Sequence, residues 1–284
     1  MTGFNADLAS ASSNKSPVAN FRPPTSAIYI GTSGYSYRDW LGYFYPPGLA
    51  AKDMLPYYSR EFNFTEVNSS YYALPRPQNL EQMARKVPDG FIFAVKAYRT
   101  LTHERGDSLA SDSRQLRQAL QPLVDRGQLG AVLLQFPFSF RNNQANREHL
   151  TRLKELLPDV PLVVEFRHNS WVNDAIWDFL QHHELAYTCV DEPALPGLVG
   201  PVVRCTAAVA YVRFHGRNAA KWWQHKEAYE RYDYLYTPAE LKEWLPGIAY
   251  LAGQARQVFV AFNNHYHSQA VTNARMLKDL LAGV

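Results

Sequence analysis

Val163-Val164-Glu165-Phe166-Arg167-His168-Asn169-Ser170-Trp171 joins an apolar strand, an ionised strand end and a helix start within nine residues. Leu162 to Val164 is apolar and mostly β-branched, the composition of a strand covered on both faces. Side chains alternate along a strand, so Glu165 and Arg167 share one face while Phe166 and His168 share the other. Ser170 is then placed to cap a helix whose apolar positions Ile176, Phe179 and Leu180 follow the i, i+3, i+4 spacing. An opposite-charge pair at the end of a buried strand costs desolvation free energy and seldom improves on apolar packing. Such a pair points to function before stability.

The same layout recurs outward from this segment. Strands are predicted at 28–32, 65–67, 91–96, 131–135, 162–167, 186–190, 210–215 and 258–263, with helical stripes between nearly all of them. Leu80, Met83, Ala84 and Val87 form one such stripe, and Leu116, Ala119, Leu120 and Leu123 another. Thr237-Pro238-Ala239-Glu240 reads as a capping box with proline at the first helical position, opening a stripe that Pro246 should end or kink. Only the unit after Asp191 lacks a helix pattern, and Pro193 and Pro196 argue for a loop there. Eight β/α alternations over about 250 residues predict an α/β fold, a single-domain (β/α)₈ TIM barrel. A doubly wound open sheet is the alternative, but Gly31-Thr32-Ser33-Gly34-Tyr35 after the first strand carries no GxGxxG fingerprint. Residues 1–26, rich in Ser, Ala, Asn and Pro, read as a flexible lead-in to a domain over 27–284.

Composition narrows the function classes. A chain of 284 residues with 46% hydrophobic content and net charge +3 is a globular protein with a sizeable core and no clustered basic stripe. Its two cysteines, Cys189 and Cys205, are too few for a disulfide framework and have no zinc-ligand spacing, so they read as buried thiols. No segment approaches the roughly 18 consecutive apolar residues of a membrane span, and no secretory leader pattern opens the chain. A cytoplasmic protein without membrane contact is expected.

In such barrels the chemistry sits at the C-terminal ends of the strands. Followed with period two, the strands end in Thr32, Glu66 and Asn68, Lys96, Gln135, Glu165 and Arg167, Asp191, Arg213 and His215, and Asn263. Polar strand ends meeting water would account for part of this. Lys96 and Glu165, however, follow Phe-Ala-Val and Leu-Val-Val runs directly, which places them deep in the mouth, where ionised groups commonly mark sites. The loops above add aromatic side chains, among them Tyr35, Trp40, Tyr71, Trp222 and Trp223. Aromatic walls over a cationic floor suit a nucleotide, a sugar phosphate or a strand of nucleic acid.

At these motifs the sequence resembles a known family. Gly31-Thr32-Ser33-Gly34-Tyr35-Ser36-Tyr37 with Trp40, Glu66-Val67-Asn68-Ser69-Ser70-Tyr71-Tyr72, Lys96-Ala97 with Leu101-Thr102-His103, and Leu133-Leu134-Gln135-Phe136-Pro137 come first. Val164 to Trp171, Tyr211-Val212-Arg213-Phe214-His215-Gly216-Arg217 and Phe262-Asn263-Asn264-His265 follow in the same order. Together they are similar to the domain of unknown function family 72, also called YecE-like, over about 28–281. The resemblance implies a TIM-barrel fold and supplies no activity. Its motif positions fall on Lys96, Gln135, Glu165, Arg167, Asp191, Arg213, His215 and Asn263; the lead-in departs from the usual family start.

Three functions are compatible with these residues. In the first, an enzyme holds a small phosphate- or carboxylate-bearing substrate on Lys96, Arg167 and Arg213, with Gln135, Asn68, Asn263, Tyr35 and Trp40 around it, while Glu165, His215 or Asp191 carries a proton. A Schiff base on Lys96 is a weaker variant, because nearby carboxylates keep the ammonium charged. In the second, Glu165, Asp191 and His215 with Asn263 or His265 bind one divalent ion for a phosphodiesterase or isomerase. The interleaved cations oppose that, and no metal ligand is assigned. In the third, a non-catalytic module binds single-stranded nucleic acid. No motif names a cofactor or a protein partner. His265 and His267 read as a solvent-facing pair, and His182-His183 as the charged end of a helix.

Overall fold

The computed structural model describes residues 26–283; the lead-in expected over 1–26 therefore lies, Ser26 apart, outside the described residues. Strands β1 (Ala27–Thr32), β2 (Phe64–Val67), β3 (Ile92–Lys96), β4 (Leu129–Gln135), β5 (Leu162–Glu165), β6 (Ala186–Asp191), β7 (Val209–Phe214) and β8 (Gln257–Phe262) alternate with helices along the chain. All pair in parallel with their sequence neighbours, and β8 pairs with β1 from Ala27↔Gln257 to Thr32↔Phe262, which closes an eight-stranded barrel. The (β/α)₈ expectation is met.

Helices α1 (Ala51–Tyr58), α2 (Pro77–Ala84), α3 (Leu109–Asp125), α4 (Gln144–Leu156) and α5 (Asp174–His182) follow the first five strands. No helix separates β6 from β7, as the prolines there predict. After β7 come α6 (Pro238–Lys242), opened by the Thr237/Glu240 capping box, and α7 (Leu245–Gln254); α8 (Gln269–Ala282) follows β8. The helical stripe through Leu241, Trp244 and Leu245 breaks at Glu243 and Trp244, as Pro246 predicts, and Pro246 itself stands in the first turn of α7, which needs no N–H from it. One sequence expectation is corrected. The cap of α5 is Asn173, whose side chain accepts from the Ile176 amide, while Ser170 Oγ accepts from the Asn142 amide. Trp171 anchors that earlier turn, stacked on Phe166 at 4.2 Å between ring centroids.

The alternation of strand side chains makes two cores. Outward residues pack against the helices in one large cluster that includes Phe166, Trp171, Phe214 and Phe262. Inward residues Phe64, Ile92, Ala94, Ala131, Leu133, Val163, Ala186, Tyr211, Phe259 and Ala261 fill the barrel. Gly31 belongs to this geometry, not to a phosphate loop: a Cβ there would stand 2.1 Å from the Phe64 carbonyl oxygen. No helix among the described residues is long and apolar enough to cross a membrane.

Candidate functional site at the barrel mouth

The polar layer stands one inward position above the apolar plug. Phe64 is followed inward by Glu66, Ala94 by Lys96, Leu133 by Gln135, Val163 by Glu165 and Tyr211 by Arg213. Arg213 is the hub. Its Nε and Nη2 donate to the two oxygens of Glu66 at 2.8 and 2.9 Å, its Nη1 to Glu165 Oε2 at 2.6 Å, and its Nη2 also reaches Ser33 Oγ at 3.3 Å. Tyr211 donates its hydroxyl to Glu66 as well, at 2.9 Å.

Glu165 is shared. Arg167 Nη2 stands 2.7 Å and His215 Nε2 3.3 Å from its Oε1. Burial alone would raise the Glu165 pKa, but Arg167 and Arg213 together hold its carboxyl well below the usual range. His215 is pushed down to about 3, first by burial and then by Arg167, so the ring is neutral. With Asn263 donating from Nδ2 to His215 Nδ1 at 3.1 Å, the ring proton falls on Nε2, which stands near Glu165 Oε1 without a hydrogen bond to it. Arg167 also approaches Glu192 Oε2 at 3.4 Å, and burial pushes the Glu192 carboxyl up to about 7 despite that contact.

Lys96 is placed differently. Its Nζ donates to Gln135 Oε1 at 2.9 Å and lies 4.5 Å from the Tyr71 ring centroid, both neutral groups. Burial, reinforced by Arg213, lowers its pKa to about 8.

A cavity of about 410 Å³ opens above this layer, bordered by Tyr35, Asn68, Lys96, Gln135, Arg167, Arg213 and Asn263 among the sequence candidates, and by Tyr37, Glu66, Tyr232 and His265 beside them. A second, of about 320 Å³, lies against it. Glu165 and His215, both fully buried, border neither.

Three candidates are elsewhere. Asp191 faces the helices, where it accepts from Arg217 at 2.7 and 2.9 Å, Tyr236 at 2.7 Å and Trp244 at 2.7 Å. Ala186 is inward, so Asp191 shares the outward parity of Tyr187 and Cys189; the inward phase runs through Thr188 and Val190 to Glu192. Thr32 is outward for the same reason, bonded to the Tyr58 hydroxyl at 2.9 Å, and its neighbour Ser33 reaches the site. Trp40 is buried behind the mouth, donating to the His265 carbonyl at 2.6 Å. His265 itself is not solvent-facing as expected: it stacks on Tyr37 at 4.6 Å and borders the larger cavity. No strand period reaches that loop, and its only signal in the sequence is the Phe262-Asn263-Asn264-His265 motif.

Among the described residues no three His, Cys, Asp or Glu side chains gather as a metal-holding group. The guanidinium groups of Arg167 and Arg213 occupy the coordinating edges of Glu165 and Glu66.

The family model described as "Protein of unknown function DUF72" matches residues 29–283. UPF0759 protein YunF of Bacillus subtilis is 33% identical over 270 residues, 89% of this chain and 94% of that one. UPF0759 protein YecE of Escherichia coli K12 is 30% identical over 117 residues, 40% of this chain and 39% of its own length. Among solved structures, a DUF72 family protein of Thermotoga maritima superposes with a TM-score of 0.83 at 39% identity, covering 90% of this chain and 99% of that one. One from Enterococcus faecalis does so with a TM-score of 0.80 at 25% identity, covering 90% and 95%. The inward charged layer therefore stands in a chain that belongs to the DUF72 family.

Proposed function

We propose that the barrel mouth binds a small anionic substrate, bearing a phosphate or carboxylate, and acts on it by proton transfer. The supporting observation is the position of Lys96. It borders both cavities, its hydrogen-bond partner Gln135 and the Tyr71 ring are neutral, and Arg167 and Arg213 stand behind it. Burying an ammonium beside two guanidinium groups is unfavourable unless something anionic arrives, and a lowered pKa is the sign of that strain. Glu66 and Glu165 offset Arg213 and Arg167 directly, which leaves the Lys96 charge for a ligand.

Proton transfer falls to Lys96 in this reading, not to Glu165 or His215, because neither of those side chains borders a cavity. An amine with a pKa near the working pH both gives and takes a proton efficiently. Glu165 and His215 are positioning residues that fix the guanidinium groups. The metal-assisted alternative loses support because the carboxylates it needs are already engaged by arginine. Two free thiols, Cys189 and Cys205, support a cytoplasmic setting.

The test is protection against thermal unfolding by inorganic phosphate and by small carboxylates. The wild-type midpoint is expected to rise with anion concentration, since a ligand that binds only the folded state stabilises it, and Lys96→Met is expected to shift that rise to about tenfold higher anion concentration, where the arginines alone hold the ligand. An equal rise in both proteins would remove Lys96 from the site.

A further inference from the structure

We propose that the anionic group of the ligand is internal: a small phosphodiester with a flat aromatic ring on one side and a hydroxyl-bearing group on the other. This rests on the anion-binding reading above and specifies its ligand. The two cavities of the mouth share Lys96, Gln135, Arg167 and Tyr232, so these side chains form a partition with space on both sides. Two of the four are cations. An anion seated on the partition therefore has room to extend in two directions, whereas a terminal phosphate would fill one lobe and leave the other to water. Each lobe has the size of a small-molecule pocket, at the lower end of that range.

The lobes differ in chemistry. In the larger one Asn68 Oδ1 and His265 Nδ1 are buried without a partner, and the Glu66 carboxylate borders the same space. Both Glu66 oxygens are taken by Arg213 and Tyr211, so the unpartnered Asn68 amide oxygen is the acceptor left for a hydroxyl donor. In the smaller lobe Pro137, Phe138, Leu198 and Trp223 present apolar surface. Trp223 is 49% exposed and meets Phe138 edge to face at 5.2 Å. Arg231 also borders this lobe, with its Nε buried and unpartnered and its guanidinium 5.3 Å from the Trp222 ring centroid. Aromatic and guanidinium planes together form a platform for a flat ring.

The experiment compares dissociation constants, by calorimetry on the full chain, for inorganic phosphate, phenyl phosphate and glycerol phenyl phosphate. Each added arm is expected to tighten binding about tenfold, the gain one stacked or well-seated group typically supplies. Trp223→Ala, at an exposed side chain, is expected to cut the ratio of phenyl phosphate to phosphate affinity about tenfold. Asn68→Ala is expected to cut the ratio of diester to monoester affinity. If phosphate and phenyl phosphate bind but the diester binds no tighter, the anion is terminal and the inference falls while the anion site stands. If a short thymidine oligonucleotide outbinds the diester beyond what its extra phosphates explain, the occupant is a strand and the small-ligand inference is overturned. If phosphate itself does not bind, the reading beneath it fails as well.

Discussion

Arg213 on β7 donates Nη1 to Glu165 Oε2 on β5 at 2.6 Å while its Nε and Nη2 take both oxygens of Glu66 on β2, so one guanidinium braces three separate strands across the barrel. Arg213 is 2% exposed and both carboxylates are fully buried. Ion pairs in such a place are held at a desolvation cost that packed hydrocarbon would avoid. What they provide is rigidity: Arg167, pinned to the other oxygen of Glu165, is fixed where it borders both cavities.

Removing the shared charge leaves two buried guanidinium groups short of a counter-ion. Glu165→Gln is expected to destabilise the fold by about 3–5 kcal/mol, the cost of breaking a buried pair from one side. Chemical denaturation of wild type and variant measures it. A change under about 1 kcal/mol would mean that Glu66 and Glu192 take over the two arginines, and the bracing role would be lost.

Acid should weaken the fold by two groups acting in the same direction. Glu165 titrates well below its unfolded range, so its contribution is present above the unfolded pKa and is lost as pH falls towards the folded one. His215 is also depressed, to about 3, so between its ordinary pKa and that value the unfolded chain binds a proton that the folded chain refuses. Glu192, raised to about 7, opposes them between about 7 and 4.5, where the folded chain holds the extra proton. The His215 part is read by comparison: His215→Asn should lose less stability than wild type as pH drops from about 6.5, measured as unfolding free energy against pH. An unchanged slope would place the His215 proton differently.

The barrel was legible because its strands and helices have different hydrophobic periods, and those periods are set by local geometry. The charged layer was legible wherever the inward phase of a strand could be fixed by an apolar run, as at Val95-Lys96 and Val164-Glu165. It was hidden at β6 and β1, where polarity at the strand end is a false guide because Asp191 and Thr32 lie on the outward face. Thr188 inside and Asp191 outside show why that guide fails: outward Asp191 is buried among Arg217, Tyr236 and Trp244, groups that come from distant segments. Whether a carboxylate lines a cavity or lies beneath it, as Glu165 does, depends on neighbours that no single strand encodes.

Asp191 lies apart from the charges proposed to hold ligand. It accepts from one guanidinium, one hydroxyl and one indole on the helix side of the sheet, away from both cavities. Asp191→Asn should cost about 1–3 kcal/mol of stability, because a buried acceptor network loses its charge. Phosphate affinity, measured by calorimetry on the folded variant, should stay within about twofold of wild type. A loss of tenfold or more would show that the outer network controls the mouth.

On the proposed anion-binding reading, the ionisation of Lys96 sets the pH range of binding. The ammonium is the form that attracts a phosphate, and its pKa of about 8 lies well below that of a free lysine because of burial and the neighbouring Arg213. Phosphate affinity should therefore be near its maximum at neutral pH and fall by up to about tenfold per unit above pH 8, until the remaining arginines alone hold the ligand. Folding stability should change in the opposite sense. Between about 8 and the unfolded lysine value the unfolded chain carries the extra proton, so the strain of the buried charge is relieved as pH rises and stability increases through that window. Bound phosphate is expected to raise the Lys96 pKa, which calorimetry reads as proton uptake on binding near pH 8. Lys96→Met should remove both the alkaline fall in affinity and that uptake. If the fall persists in Lys96→Met, the group that titrates is another one, and the placement of the ligand against Lys96 is wrong.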